Sequence, residues 1–287
     1  MWARLPERRV SEVDGAIMLK LMYITNDPFI ARTAAKSGVG RIFIDMEILG
    51  KRERQRGMDT VQLRHVPEDI ARMRGAVGEN AEIMARVNPL NPDSRAEIDA
   101  AIENGAEVVM LPMWRTAEEL RRFVELVGGR ARTMPLLETA GAVDNLDEAL
   151  RVPGIDEIHI GLNDLHLSYH MKFIFQPLAD GMVERLCGAI RDAGIPYGFG
   201  GVGRPGSGAL PAEYIIGEHC RLGSGFVILS RSFCDAGIKR SAAELEELFF
   251  NGVAKIRRVE AECAAWTQAR FEENRRRVRE RVGCIVG

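Results

Sequence analysis

The sequence predicts a (β/α)8 barrel, and three observations carry that prediction. Eight short apolar runs alternate with amphipathic segments along most of the chain; parallel strands need helical crossovers, and eight such units close a sheet on itself. At 287 residues the chain suits one barrel, a fold that commonly reaches about 250 residues as a single unit. Nothing in it reads as a linker, a low-complexity tract or a fixed-period repeat. A doubly wound open sheet is the rival, and it needs a reversal of strand order that sequence does not reveal. Residues 1–240 are assigned to the barrel, and 241–287 to a C-terminal helical extension packing on the barrel or on a neighbouring subunit.

Taken in order, residues 19–24 form the first strand, and Asn26-Asp27-Pro28 opens a helix with a capping side chain and a first-turn proline. Residues 41–45 (RIFID) form the second strand and lead into two acids, Asp45 and Glu47. A long charged loop, GKRERQRGMDT, precedes Pro67, which opens a helix through Met73. Residues 81–87 are the third strand, ending on Arg86, Asn88 and Pro89; the helix 93–104 follows and Gly105 stops it. After the fourth strand, 107–111, Thr116 and Glu119 make a capping box for a helix to Val127. Strands five (133–137) and six (157–160) flank a short helix at 142–150. A helix at 180–193, strand seven at 196–199, a helix at 211–220 and strand eight at 225–229 complete the series. From Ser241 to about Arg281 the pattern is one long helix or two abutting ones.

Composition narrows the function little. A net charge of −2 excludes a globally basic nucleic-acid binder. The amino terminus, MWARLPERRVSEVDG, is charged where a signal peptide is apolar, and no run is long enough to cross a bilayer, so a cytoplasmic protein without a membrane partner is expected. Five cysteines without a C-x-x-C pair read as reduced thiols, not as disulfides or a zinc site.

The chemistry gathers where strands end. In a barrel those ends share one mouth, which brings together Asp45, Glu47, Arg86, Asn88, Trp114, Glu138, Asp164, His166 and Arg231. Glu138 and Asp164 follow strands five and six, and neighbouring strands lie roughly 4.8 Å apart, close enough for two carboxylates to share a divalent cation. The blander reading of this pair is a helix cap and a loop acid. Asp45 and Glu47 alternate along a strand, so at most one faces the mouth, and a role orienting water or Arg86 is expected. Arg86 itself faces the substrate or makes a structural ion pair. No lysine stands at a strand end to form a Schiff base.

Three stretches, in order, carry a resemblance: ARVNPLNPDSRAEIDAAIENGAEVVMLPMWRTAEEL, PLLETAGAVDNLDEAL and GIDEIHIGLNDL. They resemble the HpcH/HpaI aldolase and citrate lyase beta-subunit family, over about residues 19–230 and most closely between 86 and 165. The resemblance implies a phosphoenolpyruvate/pyruvate-binding barrel and a divalent-metal-dependent, class II type aldolase. Such a carbon–carbon lyase cleaves or forms a 2-oxo-4-hydroxy acid through a pyruvate-like enolate. It further implies Mg²⁺, or Mn²⁺ or Co²⁺, held by Glu138 and Asp164, with Arg86 at the substrate. Gly161 and the peptide of Leu162, where the family usually has proline, meet the substrate carboxylate. A homo-oligomer, a trimer or hexamer, is implied as well, and the apolar face formed by Phe249, Phe250, Val253, Ile256 and Trp266 suits packing on a neighbour.

Two departures stand out. The pyruvate aldolases end strand two with Asp-x-Glu-His and place Gln two residues before the strand-five Glu; this chain has Ile48 and Leu136. His166 and His170 are the local candidates for the missing base. Alternatives are an acyl-CoA lyase or thioesterase of the citrate lyase and malyl-CoA branch, and a barrel that binds a keto acid or phosphorylated ligand without cleaving it. GFGGVG (198–203) fits a nucleotide-binding pattern weakly, because no helix follows it directly; as a mouth loop it places Arg204 at a substrate anion or is merely flexible. Lys51, Arg52, Arg54 and Arg56 are a further charged mouth loop, and the basic cluster 275–281 lacks the aromatics of a nucleic-acid surface.

Overall fold

The computed structural model describes residues 12–13, 16–50, 65–206, 208–230, 233–234, 238 and 240–287. Arg231 and the loop with Lys51, Arg52, Arg54 and Arg56 lie outside the described residues. Eight parallel strands close into a barrel: β1 (Lys20–Ile24), β2 (Arg41–Asp45), β3 (Glu82–Arg86), β4 (Val108–Leu111), β5 (Arg132–Leu137), β6 (Ile158–Ile160), β7 (Tyr197–Val202) and β8 (Phe226–Leu229). The strands run in sequence order, and β8 pairs with β1 from Phe226↔Lys20 to Leu229↔Tyr23, which excludes the open-sheet rival.

The crossovers are α1 (Pro28–Lys36), α2 (Pro67–Val77), α3 (Ser94–Glu103), α4 (Ala117–Val127), the short pair α5 (Ala140–Asp144) and α6 (Leu146–Ala149), then α7 (Leu162–Ser168), α8 (Gln176–Ala179), α9 (Met182–Asp192) and α10 (Ala212–Leu222). Local chemistry sets their starts. The Asp27 carboxylate accepts from the Phe29 and Ile30 amides at 2.8 and 3.1 Å, and Thr116 and Glu119 close their capping box. Among the described residues no helix is long and apolar enough to cross a membrane, and all five cysteines are free.

Strand alternation divides the core. Met22, Phe43, Met84, Val108, Met110, Met134, Leu136 and Phe226 fill the barrel interior, while their neighbours Leu21, Ile42, Ile83, Val109 and Val227 face the helices. Each such buried side chain contributes about 1.5–3 kcal/mol. Beneath the apolar layer lies a floor of charge. Arg41, with no exposed surface, donates to Glu82 (Nε–Oε2 3.0 Å, Nη2–Oε2 2.8 Å) and to Glu157 (Nη1–Oε2 2.7 Å, Nη2–Oε1 3.0 Å). Arg132 bridges the same two glutamates and Lys20 adds a bond to Glu82.

The C-terminal segment is two helices, α11 (Ala242–Ala264) and α12 (Gln268–Val286). They pack on α1, α8 and α10 of their own barrel. Phe249 seats edge-on against Tyr23, ring centroids 5.0 Å apart, and Val253 and Ile256 are also buried. Phe250 stays 48% exposed, so the apolar face read from the sequence is mostly covered by the chain itself. Glu260 accepts from the Leu19 amide at 2.7 Å, which ties α11 to the start of β1.

Candidate active site at the barrel mouth

The sheet register makes the first contact of the site. Asp45 and Arg86 end neighbouring strands and are register partners. Arg86 therefore grips Asp45 with two parallel bonds, Nε to Oδ1 at 2.9 Å and Nη2 to Oδ2 at 2.8 Å. Glu47 joins from the other side, its Oε2 3.4 Å from Nη2. Both acids thus reach the guanidinium of Arg86. Strand β2 ends at Asp45, so the alternation rule does not extend to Glu47. Burial works against the guanidinium charge, but Asp45 and Glu47 outweigh it and hold Arg86 protonated. Arg86 Nη1 bonds none of the described residues, which leaves two donors for a ligand.

Glu138 stands just beyond β5 and is buried. Its Oε1 accepts from the Met113 amide at 3.1 Å, and Met113 has φ +58°, a left-handed conformation that costs a non-glycine residue about 1–2 kcal/mol. Strained backbone here aims an N–H at the carboxylate. Thr139, next in sequence, locks the loop below: its hydroxyl donates to the Trp114 carbonyl at 2.7 Å and accepts from the Ala142 amide at 3.0 Å. Gly161 gives the Glu138 carboxylate room, because a Cβ there would sit 2.8 Å from Oε2.

Asp164 is not a strand-end residue; it belongs to the first turn of α7 and is buried beside Glu138. Burial first, and then the Asp164 charge, push the Glu138 carboxyl well above its ordinary range, with Arg86 opposing. A buried acid beside two more, Asp164 and Glu47, is relieved by a proton or a cation. Two carboxylates with positions left open for water and substrate fit a hard divalent cation. Among the described residues no three His, Cys, Asp or Glu side chains converge as a metal cluster.

The other residues singled out by sequence take different places. His166 is buried on α7, two residues beyond Asp164 and hence on another side of the helix, with Nδ1 3.2 Å from the Leu162 carbonyl. His170 is exposed at φ +54°. Asn88 accepts from the Ile48 and Leu49 amides at 2.8 and 3.0 Å, so it shapes the turn after β2. Ile48 itself is 57% exposed at the rim. Trp114 is buried in the layer facing the helices, and Arg204 is exposed beyond β7.

The glycine-rich run also reads differently. Residues 198–202 lie within β7, not in a mouth loop, and close packing explains their glycines: a Cβ at 198 would lie 2.4 Å from the Phe226 carbonyl oxygen. One neighbour of the site was missed in the sequence. His65, twenty residues after Asp45 at the end of the charged loop, returns to accept the Asp45 amide on Nδ1 at 2.9 Å.

The family model described as HpcH/HpaI aldolase/citrate lyase matches residues 20–195. An HpcH/HpaI aldolase from Desulfitobacterium hafniense DCB-2 is 18% identical, with a TM-score of 0.60, over 83% of this chain and 93% of that one. An HpcH/HpaI aldolase/citrate lyase family protein from Burkholderia cenocepacia J2315 is 17% identical, with a TM-score of 0.59, over 74% and 87%. A citrate synthase, SbnG, is 16% identical, with a TM-score of 0.57, over 74% and 86%. At these identities the structures share the fold. No curated protein matches the chain by sequence.

Proposed function

The chain belongs to the HpcH/HpaI aldolase/citrate lyase family, and from that premise we propose that it is a divalent-metal-dependent aldolase acting on 2-oxo-4-hydroxy acids. The family supports lyase or aldolase chemistry in general. One observation carries the finer reading: Glu138 and Asp164 are buried beside each other and within electrostatic reach of Arg86, whose fork Asp45 holds by two parallel bonds. Glu138 and Asp164 would hold Mg²⁺, Mn²⁺ or Co²⁺, which supplies Lewis-acid stabilisation of the charge that develops on the 2-oxo oxygen.

The chain's own residues do the rest. Arg86 presents Nη1 to the oxygen that becomes the enolate, and Asp45 holds its fork in that orientation. The peptide after Gly161 meets the substrate carboxylate. Glu47, buried beside both Arg86 and Glu138, takes the proton of the 4-hydroxyl. The C3–C4 electron pair then moves into the 2-oxo group, and return of a proton to C3 gives pyruvate and an aldehyde.

Pyruvate release from a panel of 2-oxo-4-hydroxy acids tests the assignment, with Mg²⁺, Mn²⁺ or Co²⁺ and with chelator. Turnover that needs the cation and vanishes with chelator is the expected result; turnover indifferent to chelator contradicts it. Arg86→Lys keeps the charge and loses the fork. It is expected to lower kcat about 100-fold or more, the effect of removing one oxyanion donor, and a kcat within about threefold of wild type counts against the role. A second reading, an acyl-CoA lyase or thioesterase, is favoured by Ile48 and Leu136, which leave the rim and inner wall apolar. Thioester substrates in the same panel distinguish the two.

A further inference from the structure

The run 198–203 contains an irregularity in the barrel. Gly198 stands opposite Phe226 and Gly201 opposite Ile228, so β7 takes three steps where β8 takes two. This is a β-bulge, with Gly200 at φ +54°, a conformation glycine adopts without strain. The Gly200 carbonyl accepts a hydrogen bond from His159 Nε2 at 3.1 Å.

His159 is the middle residue of β6. Its neighbours Ile158 and Ile160 face the helices, so alternation turns the imidazole into the barrel, beside Leu136 on one side and Gly198 on the other. It has no exposed surface. A carbonyl only accepts, so Nε2 carries the ring proton, and Nδ1 is left without a hydrogen-bond partner among the described residues. Stranding a buried acceptor forfeits the hydrogen bond it would make in water. Phenylalanine would fill a similar volume without that cost, so packing alone does not account for an imidazole here. The bond to Gly200 does. Burial also lowers the His159 pKa to about 4, which keeps the ring in its neutral form at neutral pH.

Gly200 in turn bears on the site. An added Cβ there would lie 2.7 Å from Leu162 Cδ1 and 3.1 Å from its Cγ, so the bulge backbone is the seat of that side chain. Leu162 is the first residue of α7, and Asp164 is in the same turn. We propose that His159 is a positioning residue: by holding the Gly200 bulge under Leu162, it sets Asp164 relative to Glu138 and thereby the affinity for the cation. This rests on the reading of Glu138 and Asp164 as cation ligands.

The test compares wild type, His159→Phe and His159→Gln in the full-length chain; the glutamine amide reaches where Nε2 does and restores the donor. Hydrogen–deuterium exchange is followed in peptides covering 161–168 and 198–206, and Mn²⁺ binding by electron paramagnetic resonance. His159→Phe is expected to exchange faster in both peptides with the rest of the barrel unchanged, and to raise the Mn²⁺ Kd about tenfold or more, as loss of a ligand-orienting partner does. His159→Gln is expected to match wild type in both. Unchanged exchange at 161–168 in His159→Phe overturns the proposal, as does a Mn²⁺ Kd equal to that of wild type. If His159→Phe does not fold, Leu162→Ala, which removes the side chain resting on Gly200, carries the same expectations. A wild type that binds no Mn²⁺ overturns the cation reading instead, while the exchange rates still decide the tether between Gly200 and α7.

Discussion

Glutamine in place of Glu138 is expected to abolish cation-dependent turnover while making the metal-free protein more stable at neutral pH. A Lewis acid at a developing enolate supplies several kcal/mol, and each 1.36 kcal/mol is tenfold in rate, so pyruvate release should fall about 1,000-fold or more. The stability effect has the opposite direction. Burial and the Asp164 charge raise the Glu138 carboxyl in the folded chain above the ordinary value of 4.5. A raised acid contributes stability that is fully present below its unfolded value and is lost as pH rises through the folded one. The metal-free wild type should therefore lose thermal stability from about pH 4.5 upward, and Glu138→Gln should remove that component of the loss. Saturating Mn²⁺ should raise the Tm of wild type and leave the variant unmoved. Scanning calorimetry from pH 5 to 8, with and without Mn²⁺, checks all three; a Mn²⁺-dependent Tm in the variant contradicts the assignment.

The second large effect lies at the opposite end of the barrel. Arg41→Met is expected to destabilise the fold by about 3–5 kcal/mol, because it removes one partner of a buried ion pair and leaves Glu82 and Glu157 short of cation. At about 2–4 °C per kcal/mol for a domain of this size, Tm should fall by about 10 °C. Arg41 holds the Glu82 pKa at about 2 against the penalty of burial, with Arg132 and Lys20 assisting. A depressed acid contributes stability above its unfolded value and loses it as pH falls through the folded one, so the Arg41 contribution should fade between about pH 4.5 and 2. The triple variant Arg41→Met, Glu82→Gln, Glu157→Gln removes the stranded charges and should recover most of the loss. A Tm for Arg41→Met within about 2 °C of wild type would falsify this account of the floor.

Much of the fold was legible in the sequence because its strands are short apolar runs with polar stops. Strand β2 has the bounds read from RIFID, and the Thr116–Glu119 box and the Asp27 cap start helices where capping chemistry requires. The eighth strand closes on the first because β8 and β1 share register, a long-range fact with no local signal. What escaped the reading escaped for physical reasons. The charges of the floor, Lys20, Arg41, Glu82, Arg132 and Glu157, each look like a solvated residue at the start of a strand; only closure brings them together, away from water. GFGGVG looked like a loop because glycine has no side chain to show alternation, yet Phe226 and Leu162 crowd two of its positions. Asp45 and Glu47 read as alternating faces of one strand, although the strand ends at Asp45 and both reach Arg86. His65 gave no signal, since its partner is a backbone amide twenty residues earlier.

The central claim is that Glu138 and Asp164 form one cation site that activates a 2-oxo acid in front of Arg86. Titration of Mn²⁺ into wild type, Glu138→Gln and Asp164→Asn, followed by electron paramagnetic resonance with and without pyruvate, tests it most directly. The expected result is one saturable site in wild type whose spectrum changes when pyruvate is added, and no saturable site in either variant. Wild-type Mn²⁺ affinity in either variant, or a spectrum indifferent to pyruvate, would contradict the claim.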